Sequence, residues 1–123
     1  MNHLNELTEQ IIGCAIEVHR NLGPGLLESI CEKALCHEFN ERGMRYESQI
    51  VIPVIYKNTN LGDFRLDLLV EDQIILELKA VERDDPVFKA QLLGYLKLTG
   101  RKLGLLINFN VPLLKDGLTR VIL

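Results

Sequence analysis

One stretch of the chain decides the fold: residues 64–80 read FRLDLLV, then EDQ, then IILELKA. On either side of EDQ, every even-numbered position is apolar: Phe64, Leu66, Leu68, Val70, Ile74, Leu76, Leu78 and Ala80. This period of two is typical of β-strands with one buried face. Two such strands align their apolar faces in a hairpin only if even-numbered residues pair with even-numbered ones, so the loop must have an odd number of residues. The pattern therefore predicts a hairpin closed by a three-residue loop, 71–73.

This register also places charged residues opposite one another. Asp67 falls across from Glu77, and Arg65 falls across from Lys79. Directly opposed carboxylates, with Cβ atoms roughly 5 Å apart, repel each other and destabilise a sheet. A divalent cation is one remedy, because hard oxygen ligands suit Mg²⁺ or Mn²⁺. The residues alone leave a second interpretation open, in which Arg65 and Lys79 neutralise the two acids on a solvated face.

Lys79 adds a chemical reason to consider the metal. It follows Glu77 by two residues, so both side chains project from the same face of the strand. In phosphodiester hydrolysis a metal polarises the phosphate and lowers the pKa of water, while an ammonium group steadies that water or the developing charge. The set of Asp67, Glu77 and Lys79 fits these needs.

The rest of the chain predicts helices around this hairpin. Three- and four-residue apolar spacing predicts a helix over 4–20 and a second over 26–41, whose inward side chains are Leu27, Ile30, Ala34 and Leu35. Asp85-Pro86 has the form of an N-cap followed by proline at the first helical position, and this third helix continues to Gly100.

Three further strands are expected. The first covers 46–57, and Pro53 puts it at a sheet edge or at a bulge because proline cannot donate to a ladder; a turn at 58–62 follows. The others cover 103–109 and 118–123. A helix crossing between strands makes the two strands that it joins parallel. The prediction is an α/β fold with a mixed β-sheet sandwiched by helices, in one domain spanning 1–123.

The composition is typical of a globular protein rather than of a membrane or disordered one. The chain has 123 residues, of which 47% are hydrophobic and 25% charged, which is ordinary for a globular protein. Its apolar runs are too short to cross a bilayer, and the first residues lack a secretory pattern. The three cysteines include no CxxC pair, which favours reduced thiols. We therefore expect a cytoplasmic protein with no membrane partner.

Charge is unevenly distributed along the chain. The net charge is −3, but residues 1–47 hold four basic and eight acidic side chains, whereas residues 83–123 hold seven basic and three acidic ones. A basic C-terminal third could meet phosphates while the acidic third faces away. Accidental clustering on a solvated surface explains the same numbers equally well.

Several motifs resemble those of a known family. Gly25-Leu-Leu-Glu28-Ser-Ile-Cys31 matches the Gly-x-x-Glu-x-x-Tyr signature of the small GxxExxY proteins except at its last position, where Cys31 replaces tyrosine. The resemblance continues through Arg65-Leu-Asp67, Glu77-Leu-Lys79, and the segments 91–97 and 104–109, so it covers nearly the whole chain. This family is assigned to the PD-(D/E)XK nuclease-like superfamily, whose restriction-endonuclease-like core has the order α-β-β-β-α-β.

The resemblance implies an active site. It makes Asp67, Glu77 and the carbonyl of Leu78 metal ligands and Lys79 the catalytic lysine, with Glu28 and Gln91 reaching the same site. Read without the family, Glu28 is a first-turn glutamate favoured by the helix dipole. Likewise, Gln91 and Tyr95 are then ordinary packing residues with polar tips.

Two functions compete on this basis. The first is a nuclease that depends on Mg²⁺ (or Mn²⁺) and hydrolyses phosphodiester bonds in DNA. The second is a catalytically inactive module of the same fold that binds nucleic acid or a protein partner, with Lys97, Arg101 and Lys102 as the DNA contacts. A homodimer is a further alternative, and the apolar residues 54–56 near an edge strand would supply its interface.

Overall fold

The computed structural model describes residues 2–123; Met1, the first residue of the predicted domain, lies outside the described residues. The elements are α1 (Asn2–Leu22), α2 (Glu28–Glu41), β1 (Tyr46–Tyr56), β2 (Thr59–Val70), β3 (Ile74–Lys79), α3 (Pro86–Thr99), β4 (Leu103–Asn108), a 3-10 turn (Leu114–Gly117) and β5 (Leu118–Ile122). The predicted order of helices and strands is confirmed.

The strands form one five-stranded sheet in the order β1-β2-β3-β4-β5. Neighbours are antiparallel except β3 and β4, which are parallel because α3 crosses between them. One apolar cluster joins the sheet to α1 and α2, and a second joins the opposite face to α3. The fold is therefore α/β, a mixed sheet between helices, as predicted.

Local chemistry accounts for where α3 begins and how closely it packs. The Asp85 side chain accepts the N–H of Val87 at 2.9 Å, and Pro86 follows it, as expected for an N-cap. Over the sheet, α3 lies against Gly104 of β4, where an added Cβ would come within 2.8 Å of the Leu92 side chain. Glycine at this position lets the helix approach the sheet closely.

The hairpin of β2 and β3 has the predicted register. Val70 pairs with Ile74 and Leu68 with Leu76, and residues 71–73 form the loop. The pairing stops there, because the Leu78 N–H bonds to the side chain of Asp67 instead of continuing the backbone ladder. The backbone pairing thus ends before both predicted charged pairs, Asp67 with Glu77 and Arg65 with Lys79, and contains neither.

The even-numbered residues of β2 do not share one face, contrary to the prediction. Leu68 packs with α1 and α2, whereas Phe64 and Leu66 pack with α3. The change occurs at Asp67, whose neighbour across β1 is Gln49, a residue with a left-handed φ of 54° that is missing from the paired register. This irregularity interrupts the alternation, so the two halves of the strand face opposite layers.

Two other predictions need correction. Helix α2 begins at Glu28 rather than near residue 26, and it buries Cys31, Leu35 and Phe39; Leu27 and Ile30 are 71% and 42% exposed. The turn after β1 is only Lys57-Asn58, both with positive φ, so β2 starts at Thr59 within the segment predicted as a turn. The edge position of β1 is confirmed, and its register shifts after Val54.

Candidate active site

Asp67 and Glu77 lie side by side where the pairing of β2 with β3 ends. The Leu78 N–H donates to Oδ2 of Asp67 at 2.8 Å, and the Asp67 N–H donates to Oε1 of Glu77 at 3.5 Å. Each acid is thus linked to the backbone of the opposite strand. The two predicted metal-binding carboxylates are brought together by the same break that ends the ladder.

Burial makes this pair unusual. Glu77 is only 7% exposed, and it is the one charged residue among the buried side chains of the described part of the chain. Burial is the main cause that raises the pKa of Glu77 to about 8, and the Asp67 carboxylate raises it further. The Asp67 N–H and the Lys79 ammonium act in the opposite direction but do not compensate. The site lacks positive charge, which is the condition that a bound cation would relieve.

Lys79 ends β3 beside this pair. Its Nζ lies 4.5 Å from the centroid of the Phe88 ring on α3, a cation–π contact. The same two side chains line a cleft of about 140 Å³, together with Asn108. Larger cavities of about 320 and 220 Å³ border Glu71 at the β2–β3 loop and contain none of the predicted site residues. The cleft at Lys79 thus contains one of the predicted site residues, and neither Asp67 nor Glu77 lines it.

Glu28 approaches the site from the other layer. It is the first residue of α2 and is exposed. Partial burial raises its pKa, the Lys79 ammonium lowers it and the Asp67 carboxylate raises it. Glu28 therefore shares the electrostatic environment of the site. Within residues 2–123, however, no three His, Cys, Asp or Glu side chains lie close enough together to bind one metal ion. Glu28 thus stands apart from the carboxylate pair.

The other two predicted residues are less directly placed. Leu78 has a buried side chain and gives its N–H to Asp67, which leaves the predicted role of its carbonyl as a prediction. Gln91 is exposed on α3, one turn from both Phe88 and Tyr95. Among the described residues its side chain forms no hydrogen bond, so the structure does not join it to the carboxylates.

Tyr95 lies on α3 near the two carboxylates, and its ring packs as the sequence predicted for a packing residue with a polar tip. Burial raises its pKa, and the carboxylates of Glu77 and Asp67 raise it further, so its hydroxyl lies in their field. Its ring stacks on Phe64, with centroids 4.6 Å apart and planes 4° from parallel. The available signal was its position one turn after Gln91. The change of face at Asp67, which brings Phe64 to α3, is not visible in the sequence.

Cys31 is a packing residue. It is 1% exposed in the cluster that joins α2 to the sheet. Burial raises the pKa of its thiol, and Glu28 one turn away raises it further. The thiol is therefore neutral and unreactive at ordinary pH.

The described helices and sheet form an α/β fold, with two carboxylates and a lysine at the point where β2 and β3 separate, and this arrangement is consistent with a restriction-endonuclease-like protein. A family model described as the PD-(D/E)XK nuclease superfamily matches residues 5–121, and the chain belongs to this superfamily. Searches of curated proteins and of solved structures gave no significant match. None of the helices in residues 2–123 combines the length and apolarity needed to span a membrane.

Proposed function

We propose that this protein is a nuclease of the GxxExxY group that uses Mg²⁺ or Mn²⁺ to hydrolyse phosphodiester bonds in DNA. The observation that carries the proposal is the burial of Glu77 against Asp67. A protein seldom buries a carboxylate beside a second, half-buried one without a compensating charge, because an unpaired buried charge is costly.

The residues fit a hard divalent ion. Asp67 and Glu77 supply carboxylate oxygens, and we assign the third protein ligand to the carbonyl of Leu78. Counting Glu28 with the pair against Lys79 leaves a formal charge of −2, which one divalent ion cancels. Such an ion polarises a phosphate and lowers the pKa of a nearby water molecule.

Lys79, Glu28 and Gln91 have roles around the proposed metal position. Lys79 directs its ammonium to the attacking water or to the charge that develops on the phosphate. Phe88 holds this ammonium from one side, so Lys79 enters the reaction already oriented. We assign to Glu28 on α2 the adjustment of the charge at the site, and to Gln91 on α3 a contact that orients the substrate.

Cleavage by the purified chain tests the proposal. We expect labelled DNA to be cut in Mg²⁺ or Mn²⁺ and not in EDTA, and we expect the cutting to disappear in Asp67→Ala and Lys79→Ala. Matched controls are Asp63→Ala, an exposed acid on the same strand, and Lys89→Ala, an exposed lysine on α3. Cleavage that survives in folded Asp67→Ala and Lys79→Ala would contradict the proposal. An RNA substrate run in parallel determines which nucleic acid is preferred.

The second candidate function is nucleic-acid binding without catalysis. It is favoured by the finding that, among the described residues, no third acidic, His or Cys side chain joins Asp67 and Glu77. Lys97 and Lys102 are exposed and suited to phosphate contacts. Arg101 is less suited, because its guanidinium already bonds to Asp72 at 2.6 Å and to the Thr99 carbonyl at 3.1 Å. This function predicts salt-sensitive DNA binding that is weakened in Lys97→Ala and Lys102→Ala and unchanged in Asp67→Ala.

The homodimer alternative remains a proposal with the same predicted interface. Ile55 and Tyr56 on edge strand β1 are both more than half exposed. Their apolar surface would be covered by a second copy. Sedimentation over a range of concentrations measures whether two copies of the chain associate. If β1 forms the interface, Tyr56→Ser should associate more weakly than the wild type.

A further inference from the structure

Asn108 lies on β4 next to Lys79, where the pairing of β3 with β4 ends. It is the last residue of β4 and pairs with Lys79 in the parallel register. Its side-chain Nδ2 donates to the Val81 carbonyl at 2.9 Å, and its Oδ1 accepts the Val81 N–H at 3.1 Å. The same Oδ1 accepts the Asn110 N–H at 3.1 Å. The side chain therefore satisfies both backbone groups of Val81, as a neighbouring strand would.

These bonds fix the backbone around Lys79. The Lys79 carbonyl accepts the N–H of Phe109 at 2.9 Å, and two residues later Val81 is held by Asn108. The segment after Val81 leads directly into α3, which carries Phe88 over the Lys79 ammonium. One amide thus holds the exit of β3 and, through it, the entry to the helix that supports the lysine.

Asn108 is itself supported from behind. At Gly117, in the 3-10 turn before β5, a Cβ would lie 2.1 Å from the Asn108 carbonyl oxygen. Glycine is required there because any side chain would overlap the backbone of Asn108. The turn therefore packs directly on this residue and limits its movement.

We propose that Asn108 is a positioning residue that sets the place of the Lys79 ammonium over Phe88. Its effect on catalysis rests on the proposed nuclease function, but its effect on the position of the lysine does not. This half-buried amide takes the place of a missing strand partner and holds the backbone at a point where the ladder has ended.

Nuclear magnetic resonance of the full chain tests the positioning directly. In the wild-type protein the Lys79 ε-methylene protons should be shifted upfield by the Phe88 ring, and the Val81 amide should be protected from hydrogen exchange. In Asn108→Ala we expect the upfield shift to be lost. The exchange rate of the Val81 amide should rise roughly tenfold, because one or two hydrogen bonds to Val81 are removed. The matched control is Asn110→Ala, which keeps the backbone N–H that Asn108 accepts.

A second variant separates positioning from folding. Asn108→Asp keeps the acceptor for Val81 and Asn110 but cannot donate to the Val81 carbonyl, so it should lose part of the upfield shift while remaining folded. An unchanged shift in this variant, or in folded Asn108→Ala, would overturn the proposal whatever the nuclease activity. If the shift is lost but the wild-type protein cuts no nucleic acid, the positioning role stands and the proposed function fails.

The kinetic result completes the test if the wild-type protein is active. Asn108→Ala should lower kcat roughly 10- to 100-fold, because a displaced catalytic group loses orientation, and should leave Mg²⁺ affinity unchanged. Asn110→Ala should leave both quantities unchanged. A fall in Mg²⁺ affinity with an unaltered kcat would contradict a role that acts through Lys79.

Discussion

Replacing Glu77 with glutamine should stabilise the metal-free protein at alkaline pH. The folded structure raises the pKa of Glu77 from 4.5 to about 8, chiefly by burial. Because the protonated form is favoured in the folded state, Glu77 costs nothing below pH 4.5. As the pH rises, the ionised form of Glu77 lowers the free energy of unfolding, and this loss reaches its maximum above pH 8. At 1.36 kcal/mol for each pKa unit, that maximum is about 5 kcal/mol.

Urea denaturation in EDTA at pH 4, 6 and 8.5 measures this difference. We expect Glu77→Gln to match the wild-type free energy of unfolding at pH 4 and to exceed it by several kcal/mol at pH 8.5. Glu47→Gln, an exposed acid on β1, is the matched control and should follow the wild type at every pH. If the wild-type protein is as stable at pH 8.5 as Glu77→Gln, burial does not raise the pKa of Glu77 as described.

The same pair of proteins links stability to binding. Added Mg²⁺ should raise the melting temperature of the wild type at pH 8.5 and leave Glu77→Gln unchanged, since only the wild type has both carboxylates. A residue that destabilises the metal-free fold and is needed for binding is expected of a functional site rather than a structural one.

Three further predictions concern the fold, each measured by urea denaturation. Gly104→Ala should cost roughly 1–3 kcal/mol, because its Cβ would meet Leu92 at 2.8 Å, whereas Gly94→Ala, with open space around it, should stabilise α3 by roughly 0.5–1 kcal/mol. Asp85→Ala should cost about 1 kcal/mol by removing the N-cap of α3. Leu35→Ala should cost roughly 2–5 kcal/mol because the side chain is fully buried, while exposed Leu27→Ala should be nearly neutral. The opposite ranking within either pair would contradict the packing described.

The hairpin could be predicted because its pattern has a single solution. Alternating apolar residues on both sides of a three-residue loop predict the observed pairing of Leu68 with Leu76. Just beyond it, Asp67 and Glu77 are linked through their side chains. The N-cap at Asp85 and the parallel crossover also follow from local chemistry and from chain handedness. These features depend on neighbours in sequence or on general rules of topology.

Other features depend on contacts between distant segments. The face of β2 changes at Asp67 beside Gln49, whose positive φ nothing in the local sequence requires. The same change brings Phe64 to α3, where its ring stacks on Tyr95. The buried face of α2 also differs from the predicted one, because the tertiary contacts leave Leu27 and Ile30 exposed. Each case is settled by tertiary packing rather than by periodicity.

Isothermal titration of the metal-free protein with Mg²⁺ and Mn²⁺ measures whether Asp67 and Glu77 together hold a divalent ion. We expect one bound ion in the wild type and in Asp63→Asn, and no binding in Asp67→Asn or Glu77→Gln. Binding to folded Asp67→Asn with wild-type affinity would contradict this expectation.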